Sequence, residues 1–172
     1  MKIRYAEGAG KGMLSLLRGF LGKSFFDRAD HAKGDAAAEP DEATLSGLTE
    51  GLDIDSAIMA HQNWKFRLEA YLGGRSSEDL RPEIICFDDR CDLGRWIHSS
   101  GRARLGRFAG FTRLVEHHRM FHFTASNVVS LARAGKKAEA EKMLNTLYEQ
   151  KSAAVVGALE ELKQLSHMGG AK

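Results

Sequence analysis

The sequence predicts an all-α protein, an antiparallel four-helix bundle with a short extra helix that carries a cysteine, preceded by an N-terminal amphipathic helix. Long stretches of the 172-residue chain place apolar residues at three- and four-residue spacing, which is the period of one helix face. No stretch shows the alternating pattern of a strand, and the chain has only two prolines. With 43% hydrophobic residues, the chain can bury one core.

The N-terminal third divides by charge into two segments. Residues 1–28 carry six Lys/Arg against two acidic residues, and residues 29–53 carry seven Asp/Glu against one lysine. We therefore expect a basic amphipathic segment over residues 1–28, an acidic flexible linker over 29–52 and the bundle over 53–166. An apolar face in the basic segment comprises Met13, Leu14, Leu17, Phe20, Leu21 and Phe25. Packing of this face on the bundle or across a dimer interface is favoured over contact of residues 12–26 with an anionic membrane surface.

The first bundle helix is predicted to begin after Asp53, a suitable N-cap, and to stop at Gly73-Gly74. After an irregular stretch over residues 75–88, a short helix is expected over about 89–99, with Cys91 in its first turn. The first bundle helix places its inward stripe at Ile54, Ile58, His61, Trp64, Leu68 and Leu72.

Two further helices are predicted over about residues 108–134 and 137–166, separated by Gly135. The first has His118 and His122 on its inward stripe. The inward residues of the second are Ala140, Leu144, Leu147, Ala154, Val155, Leu159 and Leu162. Long amphipathic helices of this kind pack as a bundle.

One cysteine and three histidines are predicted to form a zinc site. His118 and His122 are four residues apart, so they lie on one helix face within reach of a single ion. His61 enters from another inward stripe, and Cys91 enters from the short helix. Zinc prefers nitrogen and sulfur ligands in a tetrahedron, and these four residues fill it, which favours a structural or sensory metal over a catalytic one.

The remaining histidines and the second cysteine are not expected to bind metal. His117 is turned about 100° from His118 and should be exposed, and His31, His98 and His167 have no partner at ligand spacing. Cys86, in an Ile-Ile-Cys-Phe run, is interpreted as a small buried thiol.

Composition and charge exclude several classes of protein. The net charge of +2 is too small to indicate nucleic acid as the main partner. No apolar run reaches the roughly 18–20 residues that span a bilayer, and no secretory signal is recognisable. Two cysteines in such a chain indicate a reducing compartment, so a cytoplasmic location is expected.

Three motifs together resemble the bacterial chemoreceptor zinc-binding (CZB) domain. They are His61-x-x-Trp64, then Cys91-x-Leu93-Gly94-x-Trp96, then His118-x-x-x-His122, in the family's order and over about residues 53–165. The cysteine motif is the most specific of the three. The resemblance implies a bundle that holds one Zn²⁺ by three histidines and a cysteine, often in a homodimer. It also implies regulation of a signalling protein, such as a soluble chemoreceptor or a diguanylate cyclase.

Trp64 and Trp96 are expected to exclude water from the ion, and Gly94 and Asp92 to lie beside it, with Asp92 accepting from a ligand imidazole. The sequence leaves two regulatory inputs open, namely zinc itself and oxidation of Cys91, since some family members respond to hypochlorous acid. A zinc hydrolase is the remaining alternative. It requires an open metal position and a general base, and Glu116 is predicted to face away from the histidine stripe.

Overall fold

The structure, a computed structural model, describes Gly47 and residues 49–169, and all regular elements in that part of the chain are helical. The all-α prediction and the bundle with a cysteine-bearing segment are confirmed. The N-terminal helix and most of the acidic linker lie outside the described residues. The helices are α1 (Ile54–Leu72), α2 (Pro82–Ile85), α3 (Asp92–Trp96), α4 (Arg102–Leu105), α5 (Ala109–Arg133), α6 (Lys137–Met143) and α7 (Glu149–Gly169).

Helix α1 begins and ends as the capping residues predict. The carboxylate of Asp53 accepts a hydrogen bond from the Ser56 amide at 3.0 Å. At the other end the Arg75 amide bonds back to the Ala70 carbonyl at 2.9 Å. Gly74 has a φ of +66°, a left-handed conformation that glycine adopts without strain. These two caps fix the length of the helix that carries His61.

Ion pairs between helices show the directions of the three long helical segments. Asp55, at the start of α1, pairs with Lys163 near the end of α7 at 2.6 Å, and Lys65 further along α1 pairs with Glu149 at the start of α7. Arg113, early in α5, lies 3.5 Å from Glu161 of α7. Thus α1 and α5 both run antiparallel to α7, and are parallel to each other.

The connection between α1 and α5 contains three short helices. Its length allows the chain to return to the end at which α1 began, which explains why α1 and α5 run parallel. Helix α2 lies in the stretch that was expected to be irregular, with Pro82 at its first position. The predicted helix over 89–99 is shorter than expected. It spans only Asp92–Trp96 and continues into a π-helical turn, Ile97–Gly101, in which Ser99 has non-helical dihedral angles.

A second π-helical turn, Leu144–Tyr148, joins α6 to α7. Tyr148 in this turn is fully buried, whereas Leu147, predicted to face inward, is 39% exposed. The prediction for Leu147 is wrong because the buried stripe advances from Leu144 by four residues rather than three. The positions predicted to face inward after the turn, Val155, Leu159 and Leu162, are buried.

The core of the bundle lies among α1, α5 and the segment from α6 to α7. Its largest fully buried side chains include Tyr148, Phe121, Leu68 and Leu159. The surrounding short helices add Leu93, Ile97 and Leu105. Among the described residues, no helix combines the length and the apolar character that crossing a bilayer requires.

Candidate metal centre

His61, Cys91, His118 and His122 converge on one point of the bundle. One ligand atom from each side chain lies within 4.8 Å of all the others. His61 belongs to α1, and the other two histidines belong to α5. The three imidazoles are buried, with 3% exposure or less for His61 and His118 and 4% for His122, and Cys91 is half-buried. Side chains from three separate elements therefore meet at one point, where the imidazoles are shielded from water and the sulfur is partly accessible.

Two of the imidazoles are oriented by backbone carbonyls. His61 Nδ1 lies 2.7 Å from the carbonyl oxygen of Ala57, one turn earlier in α1. His122 Nδ1 lies 2.8 Å from the carbonyl oxygen of Ile85, the last residue of α2. A carbonyl only accepts hydrogen bonds, so each ring carries its proton on Nδ1 and keeps a lone pair on Nε2. This is the arrangement in which histidine binds metal.

Cys91 is the N-cap of α3, and its sulfur accepts a hydrogen bond from the Gly94 amide at 3.2 Å. The same sulfur lies 3.2 Å from His118 Nε2. Glycine is required at position 94 because a Cβ there would lie 1.7 Å from the carbonyl oxygen of Asp88. The loop before Cys91 thus passes directly over the start of α3.

Burial favours the uncharged form of all four side chains when no metal is bound. It lowers the pKa of His118 to about 2, with the neighbouring histidines adding to the effect. Burial also lowers the pKa of His61 and of His122, although their carbonyl partners act in the opposite direction. For Cys91 burial raises the pKa, and the Gly94 hydrogen bond offsets part of this. Neutral imidazoles are the form that binds zinc, whereas the thiol must lose its proton on binding.

The four residues fit a zinc ion in chemistry and in spacing. Nε2 of His122 is buried, and no hydrogen-bond partner lies within reach. Buried polar atoms without partners are costly, which indicates a further group at this place. Zinc–ligand bond lengths imply ligand atoms about 3.3–3.6 Å apart. The spacing of at most 4.8 Å therefore requires only a small inward movement.

The residues expected around the ion occupy different positions. Trp96 is 4% exposed and packs edge-on against Phe111 at 5.9 Å between ring centroids. Trp64 is half-buried, with the Arg67 guanidinium over its ring at 4.0 Å. Asp92 does not face an imidazole, which corrects that prediction. As the first residue of α3 it points outward, where it is 89% exposed and pairs with Arg95.

The predicted burial of Cys86 is wrong. This residue is exposed rather than buried, because it follows a helix of only four residues whose buried residue is Ile85. His117, predicted to be exposed, is half-buried. His98 has a partner that was not foreseen, the Asp88 carboxylate at 3.1 Å. Glu116 pairs with Arg119 at 2.9 Å, away from the imidazoles.

Sequence reasoning missed the carbonyl groups that orient His61 and His122. The Ala57 carbonyl had a recognisable signal, since it lies four residues before His61 in the same helix. The Ile85 carbonyl had none, because it reaches His122 across 37 residues of chain.

Two open clefts lead from the surface to the site. One, of about 480 Å³, is lined by His122, Cys91, Trp64 and Arg90. The other, of about 670 Å³, is lined by His61, Cys91, Trp96 and Gly51. Cys91 is thus reached from both sides, whereas each cleft touches only one histidine of the cluster.

Comparison with known proteins agrees with this geometry. Residues 61–129, which contain all four converging side chains, match the family model of the chemoreceptor zinc-binding domain. Searches of curated proteins and of solved structures gave no match. That family is a zinc-binding, regulatory sensor domain rather than a catalytic one. Residues 61–129 of this chain are therefore similar to the chemoreceptor zinc-binding domain, the family that the three motifs resemble.

Proposed function

We propose that this protein is a zinc-binding regulatory module of bacterial signalling, in which His61, Cys91, His118 and His122 hold one zinc ion. The observation that carries the proposal is the convergence of four zinc-type ligand atoms, one of which, the buried Nε2 of His122, has no other partner. No carboxylate belongs to this cluster, which favours zinc over harder cations.

The residues around the site suit a stable, filled shell. The carbonyls of Ala57 and Ile85 hold the protons of two imidazoles, so their Nε2 atoms keep lone pairs for the ion. The Gly94 amide holds the Cys91 sulfur and stabilises its thiolate. Bound zinc supplies the charge that compensates this thiolate and links α1, α3 and α5. A shell of four protein ligands leaves no position for an activated water, so we infer a regulatory rather than a catalytic role.

Metal analysis of the purified protein tests the ligand set. We expect one zinc per chain, and loss of most of it in Cys91→Ser and in His118→Ala. His117→Ala is the matched control, since His117 is adjacent in α5 but is not part of the cluster. Equal zinc loss in His117→Ala and His118→Ala would contradict the proposed ligand set.

Thermal melting tests the link between metal and fold. A strong chelator should lower the melting temperature, because zinc at 100 times its dissociation constant adds about 2.7 kcal/mol of stability. The helical signal should nevertheless persist below the transition, since the apolar faces of α1, α5 and α7 remain to be buried. An unfolded apoprotein would show instead that the metal is required for folding.

Oxidation of Cys91 is a second candidate input, favoured by the opening of both clefts onto this residue. Hypochlorous acid would convert the thiolate to a sulfenic acid, with release of chloride, and would remove one zinc ligand. The test is to titrate Cys86→Ser protein, which lacks the exposed thiol, and to follow zinc release and Cys91 oxidation together. Zinc release while Cys91 remains reduced would contradict this input.

The output is proposed to pass to a signalling partner of the chemoreceptor or diguanylate cyclase type, from a cytoplasmic homodimer. The family match supports this class of partner. Light scattering of the purified protein tests the dimer, and a monomeric mass at micromolar concentration would contradict it.

A further inference from the structure

The residues just before α1 lie against the part of the chain that carries Cys91. We call Gly47 and residues 49–52 the leading segment, and residues 91–105 the cysteine unit. The leading segment is folded into a short turn, in which the Glu50 amide bonds to the Gly47 carbonyl at 3.2 Å and the Leu52 amide bonds to the Thr49 carbonyl at 2.8 Å. Gly51 has a φ of +81°, which the turn requires and which glycine tolerates.

Two side chains of the cysteine unit bind this turn. The indole N–H of Trp96 donates to the Glu50 carbonyl at 3.2 Å. The Arg104 guanidinium donates to the Gly47 carbonyl at 2.7 Å and also pairs with the Glu50 carboxylate. The end of the acidic stretch, expected to be a flexible linker, is therefore bonded to the bundle at three points.

Cys91 and Trp96 belong to the same rigid piece of structure. Cys91 caps α3, Trp96 is its last residue, and Gly94 between them rests on the Asp88 carbonyl. Helix α3 has only five residues and no kink, so its two ends are expected to move together. Arg104 follows across a turn in which the Trp96 ring fills the space beside Gly101, where a Cβ would lie 2.8 Å from the ring.

We propose that zinc binding at Cys91 and attachment of the leading segment to the cysteine unit stabilise each other, so that zinc controls the chain that enters the bundle. This rests on the proposed zinc site. With zinc bound, Cys91 is fixed to the three histidines, and Trp96 and Arg104 are held in place for the leading segment. On zinc loss the cysteine unit loses its connection to the three histidines and keeps its apolar contacts through Leu93, Trp96, Ile97 and Leu105.

The leading segment also forms one wall of the larger cleft. Gly51 and Leu52 line this space of about 670 Å³ together with Cys91 and His61. Its release would widen the approach to two ligands, so detachment and zinc loss favour each other. Thermodynamic linkage requires this coupling to be reciprocal, with equal effects in both directions.

Hydrogen exchange of the full chain measures the first direction. The amides of Glu50 and Leu52 report on the turn, and the Arg75 amide at the far end of α1 is the internal reference. With a chelator in place of zinc, we expect exchange at Glu50 and Leu52 to accelerate about fivefold or more, with little change at Arg75.

Zinc affinity, measured by competition with a chromogenic chelator, gives the second direction. Arg104→Ala should weaken zinc binding about fivefold, although Arg104 does not belong to the metal cluster. Arg102→Ala is the matched control, an exposed arginine of the same helix, and should bind zinc as the wild type does. Trp96→Phe keeps an aromatic ring in the core but lacks the N–H donor, and should act in the same direction as Arg104→Ala.

The outcomes separate this proposal from the zinc site itself. Protein that binds one zinc but shows equal exchange at Glu50 and Leu52 with and without it would overturn the coupling alone. Equal weakening by Arg102→Ala and Arg104→Ala would also overturn it, because the effect would then be one of general charge. A wild-type protein that binds no zinc would overturn the proposed function and the coupling together.

Discussion

The three histidines and the cysteine lie on parts of the molecule that are built differently. The histidines belong to α1 and α5, which have 19 and 25 residues and pack along the main core. Cys91 belongs to a helix of five residues within the long connection between them. The three histidines are therefore held by the long helices of the bundle, whereas Cys91 is held by a short unit in the connection between them. In the regulatory function proposed above, this difference makes the Cys91 end of the cluster the part that responds.

The largest expected effect on stability comes from removing a core side chain that packs against the histidines. Phe121 is fully buried and contacts His61 at 4.9 Å and His122 at 5.4 Å between ring centroids. Phe121→Ala should reduce the free energy of unfolding by about 3–5 kcal/mol, because it leaves a cavity beneath both imidazoles. Phe123→Ala, in the same helix but 53% exposed, should change it by less than about 0.5 kcal/mol. Denaturant melts of the two variants make the comparison, and similar losses would contradict it.

Acid should also destabilise the apoprotein, because its three clustered histidines are buried in the uncharged form. Their pKa values in the folded apoprotein lie below the ordinary 6.5, so the unfolded chain binds more protons once the pH falls below 6.5. Stability of the apoprotein should therefore be complete above pH 6.5 and decrease as the pH falls, by up to about 1.4 kcal/mol per pH unit for each histidine. Denaturant melts between pH 7.5 and 5.5 measure this slope. His118→Ala should have a shallower slope, and an unchanged slope would contradict the assignment.

A smaller effect, on zinc affinity, is expected from a substitution that displaces Cys91. Gly94→Ala places a methyl group against the Asp88 carbonyl and should displace Cys91, which we expect to weaken zinc binding about 10- to 100-fold. Gly157→Ala in α7 meets open space and should leave zinc affinity unchanged. The competition assay with a chromogenic chelator compares the two. Equal affinities would show that α3 tolerates displacement without moving the sulfur.

The smallest effect concerns the rates at which the two thiols react. Cys86 is exposed, so a thiol-alkylating reagent should modify it first and leave zinc bound. Cys91 should react only after a chelator is added, because zinc holds its sulfur. Peptide mass mapping with and without chelator distinguishes the two sites. Faster alkylation of Cys91 in the zinc-bound protein would contradict the proposed ligand set.

Local signals account for the parts of the fold that the sequence predicted well. Asp53 and Gly74 act on neighbouring backbone, so the ends of α1 follow from a few adjacent residues. The convergence of His118 and His122 follows from helical spacing alone. The family match over residues 61–129 agrees with the zinc site that the three motifs predicted.

The errors arose where distant contacts decide the outcome. The exposure of Cys86 depends on how α2 packs against α5, and its apolar neighbours Ile85 and Phe87 gave no sign of it. Asp92 was placed near the imidazoles because it adjoins Cys91, but an N-cap residue and the first residue of the helix point in different directions. The Trp96 bond to Glu50 spans 46 residues and left no local pattern.

The π-helical turn at Leu144–Tyr148 has a consequence for the rest of the last helix. The number of residues in it sets the angular phase of everything that follows, including Val155 and Leu159 in the core and Lys163 at its partner Asp55. Deletion of one residue in this turn would rotate α7 by about 100° relative to α6. Apolar residues would then turn to solvent along 21 residues. The alignment of α7 therefore depends on the length of this turn more than on the identity of any single side chain in it.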